Sequence, residues 1–299
     1  MVILRFHSIA GGLLLVLPLL DAAGPVPPTP ETGELLAALS NAAATFSRTV
    51  PSLRATERLV QHGRTGEMEF SGRGRNNELR GVSLTLPEEF QSHEIVSAYS
   101  FGSRAGGGGF HEIRRVLTLD GKKPEPGEVR HAMTMGLTRA EDGAKKEILE
   151  ELEQSRLVGA AADFGPMLLL FTESGQRNYR FKAAGADKVG KEPAWILGYQ
   201  QASGPGAVAE FRDRGEILHA ARGRIWFRQS DLLPFRITFE ADEMVAPKFL
   251  LRNEADITYQ PTPFGLAPQL ILHRQFLNRD LLVENRFSYD AYTVRGIIP

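Results

Sequence analysis

The sequence predicts an α+β fold in which one large antiparallel β-sheet carries helices on one side. Segments that alternate apolar and polar residues recur from residue 79 to the end of the chain, and we count about ten or eleven of them. Turn residues separate these segments, without the regular strand, helix, strand order of a parallel sheet. An amphipathic helix precedes the first of them.

That helix and the domain bounds follow from spacing and composition. Leu35, Leu39 and Phe46 recur at helical intervals, and a proline soon afterwards ends the pattern. A proline-rich tether at 24–32 precedes the helix. We therefore predict a single folded domain at 33–299.

The first residues have the layout of a secretory signal peptide. A basic start precedes an apolar run from Ile9 to Leu20, and small residues follow at 22–24. The run is short and is interrupted by Pro18, whereas a membrane-spanning helix must cross roughly 30 Å of hydrocarbon. We therefore expect residues 1–23 to be removed on export.

Composition excludes several classes of protein. The chain has 35 basic and 36 acidic residues, spread along its length, so no charged field is expected to gather nucleic acid. It has no cysteine, which excludes disulfides, a thiol nucleophile and thiolate metal ligands. Its stability must come from packing.

One hairpin shows the character of the sheet. In "RGRIWFRQSDLLPFRITFEAD", at 222–242, Phe235, Ile237 and Phe239 alternate with polar residues, so one face is apolar and one is wet. Such alternation does not distinguish a packed core from the wall of a groove. The apolar positions of this hairpin and the preceding strands are Tyr179, Phe181, Trp195, Leu197, Tyr199, Phe227, Phe235, Ile237 and Phe239.

The strand pattern is interrupted at 139–171, where we predict a helical excursion. Lys146 lies four residues before Glu150 on one predicted face, and Ile148 and Leu152 lie on another. The excursion ends in "FGPMLLLF". That segment fits a buried strand, a helical turn or a lid over a cavity, and its pattern leaves these alternatives open.

Three segments together resemble a known family. "GRIWFRQSDLLPFRITFEA", "NYRFKAAGADKVGKEPAWILGYQ" and "ENRFSYDAYTV" are similar to a hairpin, a strand-turn-strand unit and the closing strand of the LolA/LolB-like superfamily of periplasmic lipoprotein carriers. The resemblance covers 33–296. It implies an incomplete β-barrel of about eleven strands with helices on the concave side. It also implies an apolar cavity for lipid-like groups, with the nine apolar positions above as candidate lining residues.

No motif in the sequence predicts catalysis, a metal site or a cofactor. His93 and His111 could meet across a hairpin, but we interpret them as ordinary polar strand positions. "AGGGGF" leads into a strand, so a hairpin tip is favoured over a phosphate cradle. Arg73 and Arg75 are interpreted as solvated loop residues. No Gly-x-Ser-x-Gly elbow positions a serine nucleophile.

We therefore expect a periplasmic or secreted monomer that is not an enzyme. Its expected role is to carry or bind a lipid, the acyl chains of a lipoprotein, or another amphiphile in an apolar half-barrel cavity. The alternative is a periplasmic sensor or accessory module with the same fold that docks a membrane-protein partner. A secreted hydrolase has the least support, because no pair of nucleophile and base is evident.

The mature protein is predicted to begin near residues 23–25, because the apolar run is followed directly by small residues. Intact-mass measurement of protein purified from its native host checks this expectation. A chain that retains Met1 would contradict it.

Overall fold

A computed structural model describes most of the predicted domain. It describes residues 29–64, 69–71, 83–86, 89–103, 110–123, 164–204, 206, 208–212, 215–246 and 248–294. The predicted signal peptide, the loop with Arg73 and Arg75, the glycine run and the helical excursion before residue 164 lie outside the described residues.

The described chain contains one α-helix, α1, at Thr32–Thr49. It also contains 3-10 helices at Val50–Ser52, Gly165–Phe171 and Gly175–Asn178, of which Gly165–Phe171 is called the inner 3-10 helix. None of these helices is long and apolar enough to span a membrane. The strands β1 to β14 are Leu53–Arg64, Glu69–Ser71, Ser83–Thr85, Phe90–Ser103, Phe110–Leu119, Tyr179–Val189, Glu192–Gln201, Val208–Arg212, Gly215–His219, Arg222–Arg228, Pro234–Ala246, Phe249–Thr262, Gly265–Leu277 and Asp280–Val294.

Ten strands form one antiparallel sheet that is not closed. Their order is β5-β4-β1-β14-β13-β12-β11-β10-β7-β6, and within the described chain β5 and β6 do not pair with each other. The predicted incomplete barrel is confirmed, with ten strands in place of about eleven. One predicted strand instead forms β8, which pairs with β9 in a separate ribbon, and β2 pairs with β3 in another.

An apolar row crosses the inner face of this sheet. Its members pair from strand to strand and are buried, so burial and cross-strand packing both fix the register. Slipping one strand by a single residue would turn its member out of the core. The members, in spatial order, are Ile95, Leu59, Phe287, Ile271, Ile257, Ile237, Ile225 and Leu197.

Helix α1 covers part of the inner face, as its spacing predicts. Leu35, Leu39 and Phe46 are buried along one stripe of the helix. The Phe46 ring meets Phe101 and Tyr259 edge-on, with centroids 6.0 and 6.4 Å away. The helix is thereby anchored to β4 and β12.

The inner 3-10 helix covers more of this face. Of the alternatives that the sequence left open for "FGPMLLLF", the structure shows a helical turn and not a strand. Phe171 packs against the rings of Tyr179, Phe181 and Tyr199, at centroid distances of 5.3, 6.2 and 4.9 Å. Met167 is also buried. The aromatic end of the sheet is thus packed against the chain's own residues.

The orientation of Phe235 differs from the alternation in the sequence. The register between β10 and β11 shifts after Trp226, so that Phe227 pairs with Pro234 and Phe235 is an extra residue on its strand. Phe235 consequently packs in a separate cluster with Trp226 and Ile196, away from Ile237. A bulge of this kind leaves no mark in the apolar pattern.

Trp195→Ala is expected to lower the free energy of unfolding by about 3 to 5 kcal/mol, because a close-packed core does not refill the void. The side chain is 5 % exposed within the main cluster. Urea unfolding measures the loss. Met244→Ala is the control, since Met244 is 62 % exposed and a change of within about 0.5 kcal/mol is expected. A loss near 1 to 2 kcal/mol with weakened amphiphile binding would instead place Trp195 beside an open groove.

Candidate functional site

A groove of about 410 Å³ opens at one end of the half-barrel. We call it the rim groove. It lies between α1, the turn that joins β10 to β11, and the turn that joins β12 to β13. The lining residues are Ala38, Asn41, Ala42, Thr45, Asp231, Leu232, Leu233, Pro234, Pro261, Thr262, Gly265 and Leu266.

Small side chains on α1 leave room for the groove. Ala38, Ala42 and Thr45 are spaced three or four residues apart, so they share one stripe of the helix. This stripe lies beside the stripe of large apolar residues that enters the core. One helix therefore both closes the core and forms a wall of the groove.

The turn between β10 and β11 forms a second wall. Leu232 has φ 57°, in the left-handed region that residues other than glycine rarely adopt. Its amide donates to the carbonyl of Arg228 at 2.9 Å, and the Leu233 amide donates to Asp231 Oδ1 at 3.1 Å. These bonds hold the two leucines of "QSDLLP" at the groove.

The turn between β12 and β13 brings the sheet close to α1. Gly265 has φ 112°, and a Cβ there would lie 3.0 Å from Thr45 Cγ2. Thr262 Oγ1 donates to the Gly265 carbonyl at 2.7 Å and accepts from the Phe264 amide at 3.2 Å. Glycine is required here both for the backbone and for the approach of the helix.

The lining of the groove is mainly apolar and carries one charged residue. That residue is Asp231, whose carboxylate lies 3.2 Å from Arg228 Nη1. The remaining polar groups are the amide of Asn41 and the hydroxyls of Thr45 and Thr262. A groove with apolar walls and a few polar groups suits an apolar chain with a polar end.

A buried charged cluster lies elsewhere on the inner face. Arg114 Nε donates to both oxygens of Glu57, at 2.7 and 3.0 Å, and its Nη2 donates to Glu112 at 2.9 Å. Glu112 also accepts from the Tyr99 hydroxyl at 2.5 Å and from the Gly165 amide at 3.1 Å. All three charged side chains are at most 2 % exposed. The cluster fastens the inner 3-10 helix to the sheet.

Burial and neighbouring charge act oppositely on the pKa of Arg114. Burial lowers this pKa, but the carboxylates of Glu112 and Glu57 raise it by more than burial lowers it. The net pKa therefore lies well above its usual value. Arg114 therefore stays charged. Its Nη1 atom has no hydrogen-bond partner among the described residues.

The two histidines that the sequence singled out are not cross-strand partners. The register of β4 and β5 places His111 opposite Gly102, away from His93. His93 Nδ1 instead lies 2.9 Å from Asp120 Oδ2. The described residues also contain no group of three His, Asp or Glu side chains that could hold a metal ion.

The nine predicted cavity residues lie away from the rim groove. Six are buried in the main cluster, Tyr179 and Phe181 are half-buried against it, and Phe235 lies in the separate cluster. Contact of any of them with a ligand stays a prediction. The six in the main cluster are Trp195, Leu197, Tyr199, Phe227, Ile237 and Phe239.

A second groove, of about 660 Å³, lies on the outer face and is called the outer groove. Its charged residues are largely paired with one another, as in the contact of Arg236 Nε with Asp256 Oδ1 at 2.8 Å. Arg222 Nε likewise lies 3.4 Å from Glu240 Oε2. Ion pairs of this kind are typical of a solvated surface. The charged lining residues are Arg222, Arg224, Arg236, Arg274, Glu240, Glu254 and Asp256.

The chain has distant similarities to solved structures. No family model and no curated protein sequence matches the chain. Among solved structures, it is similar to a putative outer membrane lipoprotein-sorting protein domain from Vibrio parahaemolyticus, at 9 % identity over 90 % of this chain and 95 % of that chain, with a TM-score of 0.42. It is also similar to a DUF1329 family protein from Desulfovibrio piger, at 12 % identity over 88 % and 95 % of the two chains, with a TM-score of 0.40.

A LolA superfamily protein from Nitrosomonas europaea is similar as well, at 10 % identity over 88 % of this chain and 94 % of that chain, with a TM-score of 0.34. At these identities and TM-scores, no ligand and no residue role is taken from these structures.

The tyrosines provide a test of the packing. Burial raises the pKa of all six, to about 12 for Tyr179. Because the folded state disfavours tyrosinate, the resulting stabilisation is complete below the usual pKa of about 10 and is lost as pH rises above it. Ultraviolet titration should show no tyrosinate near pH 10, then Tyr179 first, and the others together with unfolding. Ionisation near pH 10 in the folded protein would contradict the described burial.

Proposed function

We propose that the protein is an exported, non-catalytic binding or carrier protein that holds an acyl chain of a lipid, lipoprotein or other amphiphile in the rim groove. The observation that carries the proposal is the groove itself, an open site with apolar walls from α1 and two turns of the sheet. The predicted signal peptide supports export. The groove's one charged residue, Asp231, forms an ion pair with Arg228.

The size of the groove favours one acyl chain. In liquid water each molecule occupies about 30 Å³, and a methylene group is of similar size. The groove's volume of about 410 Å³ therefore has room for about fourteen methylene groups. Each fully buried methylene contributes about 0.8 kcal/mol. A single chain can therefore bind well with few contacts to its head group.

A second candidate function rests on the outer groove. Its mixed charges would suit a protein partner, which fits a sensor or accessory module that docks a membrane protein. What remains bound to gently purified protein distinguishes the two functions. A carrier retains lipid that organic extraction recovers, whereas an accessory module retains a defined protein.

Ala38→Phe is expected to weaken acyl-chain binding at least tenfold, because the new ring fills the groove. Ala37→Phe adds the same ring to the same helix at an exposed position outside the groove, so it serves as the matched control. In the unmodified protein, shortening an uncharged amphiphile by three methylenes should cost about 2.4 kcal/mol of binding free energy at full burial. Titration calorimetry measures both effects.

Equal binding by the two phenylalanine variants would remove the rim groove as the site. Affinity that does not change with chain length, and falls steeply with salt, would show that charge and not an apolar chain is recognised.

A further inference from the structure

We propose that the rim groove selects amphiphiles whose head group is an anion, a carboxylate or a phosphate, and that Arg48 is the residue that recognises it. This inference rests on the proposed function. It adds the chemical class of the head group.

Arg48 reaches the edge of the groove from the last turn of α1. Its Nη2 atom donates to Thr45 Oγ1 at 3.1 Å, and Thr45 is a lining residue. The guanidinium is thus held within hydrogen-bond distance of the groove wall while the side chain stays exposed. A head group that leaves the apolar walls at this point meets a cation.

The charges around the groove leave this cation uncompensated. Asp231 is already paired with Arg228, at 3.2 Å. Arg48 has no carboxylate within ion-pair distance among the described residues, and the second hydrogen of Nη2, together with Nη1 or Nε, remains for a ligand. The planar fork of a guanidinium matches a carboxylate or phosphate with two parallel bonds. Among the described residues, Arg48 is therefore a cation at the rim without a carboxylate partner.

The neighbouring arginine is committed elsewhere. Arg54 Nη1 donates to the carbonyls of Pro51 and Leu53, at 3.3 and 2.7 Å, and so supports the start of β1. Arg48 also lies where the helix dipole favours a cation. If Arg48 only stabilised the helix in this way, replacing it would affect the binding of every ligand equally. If it recognises a head group, replacing it changes the preference among head groups.

The test uses the full chain and three probes with the same dodecyl chain, which end in a carboxylate, a phosphate or an uncharged alcohol. We expect the two anions to bind about two- to fivefold more tightly than the alcohol at low salt, as for an exposed ion pair. Arg48→Gln should abolish this preference and leave alcohol binding unchanged. Arg180→Gln removes an exposed charge from β6 and should change neither.

A preference for anions that survives in Arg48→Gln would overturn the inference, as would equal binding of all three probes by the unmodified protein. In the second case alcohol binding would still support the proposed function. Failure of all three probes to bind would overturn both. A phosphate preferred over a carboxylate points to a phospholipid-type head, and the reverse to a fatty acid.

Discussion

The fold depends on covering the inner face of an open sheet. A closed barrel buries its own interior, but this sheet ends at β5 and β6 and presents an apolar row across eight strands. Helix α1 and the inner 3-10 helix pack against that face. The rim groove follows from the same arrangement, because α1 turns alanines and not leucines toward the two turns at the end of the sheet.

The charged cluster shows that the inner face is not uniformly apolar. Glu57, Glu112 and Arg114 lie inside the half-barrel, where ion pairs give little net stability but are costly to break. Their bonds join β1, β5 and the inner 3-10 helix. We interpret the cluster as fixing where the inner 3-10 helix lies, since an apolar surface alone would let that helix shift.

Periodicity predicted the first helix and most of the strands, though not β1, because those features repeat locally along the chain. The incomplete barrel was what the family resemblance implied. The rim groove could not be predicted in the same way, because its walls come from three segments that are far apart in the sequence. Ala38, Leu232 and Gly265 represent these segments. Phe235 was misplaced because a bulge shifts the register without changing the apolar pattern. Glu57 and Arg114, 57 residues apart, meet only through strand pairing. The one feature of the sequence that could have indicated this cluster was the presence of charged residues at inward-facing strand positions.

The most direct measurement of where an acyl chain binds is photo-crosslinking of the full chain with an acyl probe that carries a diazirine near its end, followed by peptide mass spectrometry. We predict crosslinks in residues 38–45, 231–234 and 261–266, which form the rim groove. Crosslinks confined to β6, β7, Phe227 and residues 235–239, where the sequence placed its candidate cavity residues, or to the outer groove, would contradict the proposed site.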